Sequence, residues 1–258
     1  MITLFDIPSS APQRAWSLHA WKARLCLNCK QLPHKTQWLD YPDIEPTLKS
    51  HDIGPTGTKP RDGSPEYTIP AILDVNENGT VKKAVADSFE IVKYLDVAYP
   101  ETKRVIPEGK EEEQYEKAQE LCAHLRTFLV LLFKAILGIV NERNREHSNK
   151  ARAGDLYHLY GKDTLDEIEV SVAEKERLWG IAKESFDKLD AALGKEGEKG
   201  PWYLGEDLSF VDLAIGGFLI CFLKAFGEDS DEWRDISSWN NGRWARFVQN
   251  LQPFMSVN

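Results

Sequence analysis

The sequence is short of cysteine, with four in 258 residues, too few for the disulfide framework that holds small secreted domains together. A reducing, cytoplasmic setting is therefore expected. Positive charge is also in deficit: 32 Lys and Arg stand against 41 Asp and Glu, a formal net charge of −9, with the two signs interspersed. General nucleic-acid or membrane-surface binding needs the opposite balance, so neither partner is expected. Long apolar runs are missing. The longest, Phe128 to Val140, is interrupted by Lys134 and falls short of the roughly 20 residues that a bilayer-spanning helix requires. The opening MITLFDIPSS has no basic segment and no long apolar stretch, so no signal peptide is read there. The six histidines form no i,i+4 pair and keep no zinc-ligand spacing with the cysteines, so no metal site is expected. What is plentiful is apolar and aromatic material. With 42% hydrophobic residues, eight Trp and eleven Phe, the chain can bury a large core spread over two ordinary domains.

The first hundred residues alternate between two periodicities. Ile2 to Ile7 is a β-rich run stopped by Pro8. From Trp16 to Lys30 the apolar residues Trp16, Ala20, Ala23 and Leu27 fall on one helical face. Thr36 to Leu39 reads as a second strand and Pro42 to His51 as a short helix. Gly54 to Glu66, rich in Gly and Pro, reads as loop. Ala71 to Val75 and Val81 to Val85 form an expected hairpin, and Asp87 to Tyr99 a helix with Phe89, Val92 and Leu95 on one side. The order βαβαββα gives an α/β module over residues 1–100. Residues 101–113, marked by Pro, Gly and a charge run, are expected to be a linker, and 114–258 to be all helix. Within that half, Gln114 to Asn141 reads as one long helix, Leu165 to Leu193 as another, and Phe210 to Phe226 as the centre of a bundle. The last opens on Ser209-Phe-Val-Asp212, the spacing of a capping box.

Three local features of the α/β half carry chemistry. Ser17 stands at the start of the first helix, where unpaired N–H groups and the helix dipole favour an anion. Thr68-Ile69-Pro70 precedes a strand; the proline suits a cis bond, and Ile69 can offer its N–H and C=O to a peptide-like ligand. Asp87-Ser88 opens the next helix, and a carboxylate, a hydroxyl and free N–H groups there suit an α-amino acid end, Asp87 facing the ammonium and Ser88 the carboxylate. Together these outline a site for a small thiol peptide.

The arrangement resembles a glutathione transferase, with a thioredoxin-like α/β N-terminal domain followed by an all-helical C-terminal domain. Trp202-Tyr-Leu-Gly-Glu-Asp-Leu-Ser-Phe-Val-Asp212-Leu-Ala is similar to the capping motif of the family's helical domain. The segments ITLFDIPSSAPQRAWS, KARLCLN and YPDIEP, with the long loop before Ile69-Pro70, resemble the fungal serine-type class related to bacterial β-etherases. The resemblance implies Ser17 as the catalytic serine, Ile69-Pro70 as the cis-proline motif and Asp87-Ser88 as the γ-glutamyl-binding pair. It implies glutathione as co-substrate, large hydrophobic aromatic or polyphenolic partners, and a homodimer. The class pattern places Pro and Asn after the serine, whereas Leu18 and His19 stand here; His19 is expected to hydrogen-bond the sulfur region. Lys59 and Arg61, in the long loop, are candidates for the glycyl carboxylate, against the alternative of a solvated pair of loop charges.

Other signals are discounted. Cys26-Leu-Asn-Cys29 has thioredoxin spacing, yet it falls more than two turns inside the first helix, away from the N-terminus that activates such a thiol. Trp16, Phe128 and Phe133 serve equally as pocket walls or as core. Three functions stay open: a glutathione-dependent transferase or ether-cleaving enzyme, a glutathione- and aromatic-binding carrier with little turnover, and a partner-binding module on the same fold.

Overall fold

The computed structural model describes residues 1–11, 14–59, 63–194 and 200–258; Arg61 lies outside them. Strand β1 (Ile2–Asp6) leads through helix α1 (Leu18–Cys29) into β2 (His34–Trp38), and α2 (Tyr41–Ser50) follows. A ribbon of two short strands, β3 (Gly57–Thr58) and β4 (Pro65–Glu66), closes part of the segment expected to be loop alone. Strands β5 (Ala71–Val75) and β6 (Val81–Ala86) and helix α3 (Ser88–Ala98) complete the module. The sheet order is β2-β1-β5-β6, with β1 parallel to β2 and the other pairs antiparallel. Every residue of β1 is buried, which suits a central strand with apolar layers on both faces. Lys82 and Lys83 occupy the exposed half of edge strand β6 and discourage further pairing. The β2 edge is met by the chain's own end, where Thr36 N–H donates to Asn258 O at 2.9 Å.

Helix α1 is fixed from below by two sealed ion pairs. Arg24 meets Asp6 of β1 at 2.7 Å, and Lys30 meets Asp96 of α3 at the same distance. Burial pushes the Asp6 carboxyl up while Arg24 pulls it back, the expected contest for a charge taken out of water. Removing one member of either pair would leave a buried charge alone.

The helical half holds α4 (Glu111–His124), α5 (Leu129–Ile139), α6 (Glu142–Asp155), α7 (Tyr157–Tyr160), α8 (Val172–Leu193), α9 (Phe210–Phe226) and α10 (Asp231–Leu251). The single helix expected over 114–141 is in fact α4 and α5, bent by 89° at the break. The cause lies in residues 125–128. Leu125 and Phe128 are both fully buried, Phe128 against Phe186 and Phe222, while the Thr127 hydroxyl bonds His124 O at 3.1 Å and Ser185 Oγ at 2.8 Å. A side chain that competes for helix carbonyls weakens the ladder where the core draws Phe128 inward. Likewise the helix expected from Leu165 begins at Val172. Ser171 caps it by accepting Glu174 N–H, and Leu165–Glu167 forms a separate 3-10 turn.

Helix α9 is almost wholly buried, as its all-round apolar sequence requires. Both capping-box bonds at its start are present, and Asp212 also accepts the Tyr203 N–H at 2.8 Å. Burial pushes the Asp212 carboxyl up to about 6. Among the described residues no helix is long and apolar enough to cross a bilayer by itself. Gly217 of α9 sets the position of the functional region. A Cβ there would stand 2.4 Å from the carbonyl oxygen of Leu18, so only glycine lets α9 lie against the first turn of α1.

Candidate functional site

Ser17 is the N-cap of α1, in extended backbone conformation (φ −61°, ψ 120°) and 9% exposed. Its Oγ accepts the Ala20 N–H at 3.4 Å, a long bond, and its own O–H has no acceptor among the described residues. The first turn of α1 carries no acidic side chain, so nothing in the helix itself neutralises the positive end of its dipole. Ala15 and Trp16 are buried beneath, holding the chain reversal in place. The result is a hydroxyl donor and a helix N-terminus at one spot, with capacity for an external anion.

The end of β1 from which the chain runs to Ser17 lies beside the start of β5, with Phe5 opposite Ala71. This register brings the Ile69-Pro70 turn to the same end of the sheet. The Ile69–Pro70 bond is cis. Pro70 O accepts the Asp87 N–H at 3.2 Å, tying this turn to the start of α3, while the Ile69 N–H and C=O make no hydrogen bond among the described residues. Asp87 sits at φ 77° and caps its own helix: Oδ1 accepts the N–H groups of Phe89 at 2.8 Å and Glu90 at 3.1 Å. Oδ1 of the carboxylate expected to face a ligand is committed to α3, because the left-handed backbone at Asp87 turns it onto the free N–H groups of that helix. Oδ2 accepts no hydrogen bond among the described residues, and Asp87 is exposed. Ser88 is 4% exposed, and its hydroxyl has no hydrogen-bond partner among the described residues, although it is not sealed from solvent.

His19 follows one residue into α1 and is exposed, with no hydrogen bond to the described residues. Its ring reaches solvent, yet the protein crowded around it and the positive charges of Lys22, Arg152 and Arg126 hold its pKa well below the ordinary histidine value. Those three cations come from α1, from α6 and from the turn after α4. Arg152 is held by Asp155 of its own helix at 2.7 Å, which leaves Lys22 and Arg126 without a carboxylate partner among the described residues, a juxtaposition hidden in a sequence where they are far apart. Lys59 is exposed beyond β3, its backbone bonded to Ser64 and Gly63. Its charge is felt at Glu45 of α2 and His147 of α6, which puts it on the α2 side, away from the opening of α3.

The discounted groups take structural places. Cys26 and Cys29 are buried in α1, and burial raises both thiols, the first well above the ordinary value. Phe128 belongs to the aromatic core rather than to a pocket wall. Phe133 is buried with the Arg152 guanidinium 5.4 Å from its ring centre. A groove of about 740 Å³ runs along the outer side of α3, lined by Pro55, Val85, Asp87, Phe89 and Tyr115 among others. It reaches Asp87 but takes no residue from α1, so the chemistry at Ser17 is not in it.

Comparison with known proteins agrees with this architecture. Residues 16–98 match the model of the glutathione S-transferase N-terminal domain, and residues 115–254 that of its C-terminal domain. A glutathione S-transferase of Ceriporiopsis subvermispora, crystallised in complex with glutathione, is 30% identical and superposes with a TM-score of 0.89 over 100% of this chain and 98% of its own. Glutathione transferase GSTFuA3 from Phanerochaete chrysosporium is 31% identical with a TM-score of 0.85, at the same coverage. The glutathione S-transferase-like protein ustS of Aspergillus flavus is 29% identical over 96% of this chain and 90% of its own length.

Proposed function

We propose that this chain, which belongs to the glutathione S-transferase family, is a serine-type glutathione transferase that activates the thiol of glutathione at Ser17 and directs it onto aromatic electrophiles. The observation that carries this reading is the uncommitted Ser17 hydroxyl at a helix N-terminus that has no acidic residue of its own. A free thiol has a pKa of about 8.5, and lowering it by two pH units asks for about 2.7 kcal/mol of preference for the anion. One charge-assisted hydrogen bond contributes about 1.5–3 kcal/mol, and the helix terminus about 0.3–1 kcal/mol. The two suffice without ionising the serine. The thiolate then attacks an electrophilic or ether-activated carbon, and the leaving group departs with the bonding pair.

Glutathione lies, in this reading, with its cysteinyl backbone against the free N–H and C=O of Ile69 beside Pro70, its sulfur at Ser17 with His19 alongside, and its γ-glutamyl end at Asp87 and Ser88. Lys59, on the far side, is the candidate for the glycyl carboxylate. Residues 1–100 form the polar half of the site, 101–113 the connection and 114–258 the wall for a hydrophobic aromatic or polyphenolic partner. The protein acts in a reducing compartment as a homodimer, for which light scattering should give about twice the 29.4 kDa chain mass.

The test is turnover by the full chain with glutathione and a panel of aryl halides and aryl ethers, beside calorimetry with each ligand alone. Glutathione-dependent product formation supports the enzyme. Binding of aromatics with no turnover makes the protein a carrier, and absence of glutathione binding overturns the reading.

A further inference from the structure

Lys22 is a half-buried lysine on α1 with no carboxylate and no hydrogen-bond partner among the described residues. Its stem packs beside Gly217, where a Cβ would stand 3.4 Å from Lys22 Cγ, and its Nζ lies 5.9 Å from the ring centre of Phe210. The Phe210 ring in turn meets Phe89, the second residue of α3, edge-on at 4.8 Å. The ammonium thus stands beside the first turn of α3, within electrostatic reach of Asp87 but forming no ion pair with it. Desolvation holds its pKa below the ordinary lysine value although Cys122 and Asp87 pull it back up, and no carboxylate pairs with it among the described residues.

Opposite it, the α3 terminus has a matching deficit. Asp87 Oδ1 consumes the N–H groups of Phe89 and Glu90, whereas the N–H and the nearly buried hydroxyl of Ser88 have no acceptor among the described residues. Two donors without an acceptor and a lysine without a carboxylate, among the described residues, thus lie near the first turn of α3 beside Asp87, linked through the Phe210–Phe89 contact. We infer that Lys22 is the counter-charge for the α-carboxylate of the γ-glutamyl residue, which it holds together with Ser88, while Asp87 Oδ2 receives the neighbouring ammonium. The inference rests on the glutathione reading above. It makes Lys22 a specificity residue for a zwitterionic amino-acid end. Other thiols, lacking that carboxylate, gain nothing from it.

Calorimetry on the full chain tests this with two ligands: glutathione and γ-aminobutyryl-cysteinyl-glycine, which lacks only that carboxylate. Lys22→Met should raise the Kd for glutathione about tenfold and leave that of the analogue within about a factor of two, as expected for a charge-assisted contact with the missing group. Lys22→Arg should recover most of the affinity. Lys22→Gln is measured alongside, so that a folding defect in one variant, seen by thermal unfolding, leaves the other to decide. Equal weakening of both ligands, or of neither, overturns the assignment. So does a selective loss in Arg126→Met but not in Lys22→Met, which would give the carboxylate to the neighbouring arginine. Failure of the parent to bind glutathione overturns the underlying glutathione reading; with glutathione bound, the outcomes above that count against Lys22 overturn the assignment alone.

Discussion

The Tyr41 ring stacks on the His147 ring, with centroids 4.3 Å and planes 18° apart, and this contact joins α2 of the sheet module to α6 of the helical half. Around it, fully buried Asn144 accepts the Tyr41 N–H at 2.7 Å and donates to Asp40 Oδ1 at 2.8 Å. Asn141 donates to the same oxygen, and Arg143 reaches both Asp40 and Asp43. Helix α6 is thereby tied to the start of α2 and joins the two halves at this point.

Asn144→Ala should therefore cost about 1–3 kcal/mol of stability, since it leaves a buried N–H and part of a carboxylate without partners. Urea denaturation measures this directly. A change below a few tenths of a kcal/mol would mean that water replaces Asn144 and that the contact does not hold the halves together.

Ser17→Ala should preserve the fold, because the cap bond it removes is long, and the loss should be about 1 kcal/mol or less. The thiol of bound glutathione should become less acidic in the variant. Titration of thiolate absorbance in the complex reads this, and an unchanged curve removes Ser17 from the mechanism.

The four cysteines should be silent in the folded protein. All are buried, with the Cys122 thiol pushed up to about 11 and Cys221 up to about 12 by desolvation. A thiol reagent at pH 8 should label none within minutes and all four after denaturation. Replacing Cys26 and Cys29 together with Ser should leave glutathione affinity near that of the parent; a collapse of activity in a folded double variant would restore the redox reading.

His19 gives a pH dependence whose sign is fixed by its environment. Its folded pKa lies well below the unfolded value of about 6.5, so the unfolded chain takes up the proton first as pH falls. Its contribution to stability is complete above that pH and declines below it. Between pH 7.5 and 5.5 the parent should lose more stability than His19→Gln, and the difference between their urea midpoints isolates the group from Asp212, which acts in the opposite sense. A flat or inverted difference would show that the imidazole titrates normally.

The sequence by itself determined the elements whose signals are short-range. The β-rich run of β1, the cap at Ser17, the capping box of Ser209 and Asp212 and the depth of Cys26 and Cys29 in α1 all follow from neighbours within a turn or two. Tertiary structure alone decided the rest. The break between α4 and α5 depends on Phe128 being drawn against Phe186 and Phe222, partners dozens of residues away, whereas the local pattern continues through it as one apolar helix. Helix α6 has little apolar periodicity to reveal it, because it is held through Asn144 and Arg143 rather than through a greasy face. Lys22 was invisible as a binding residue for the same reason. Its lack of a carboxylate partner among the described residues, and the lack of an acceptor at Ser88, exist only once α9, through Gly217 and Phe210, packs α1 beside the start of α3.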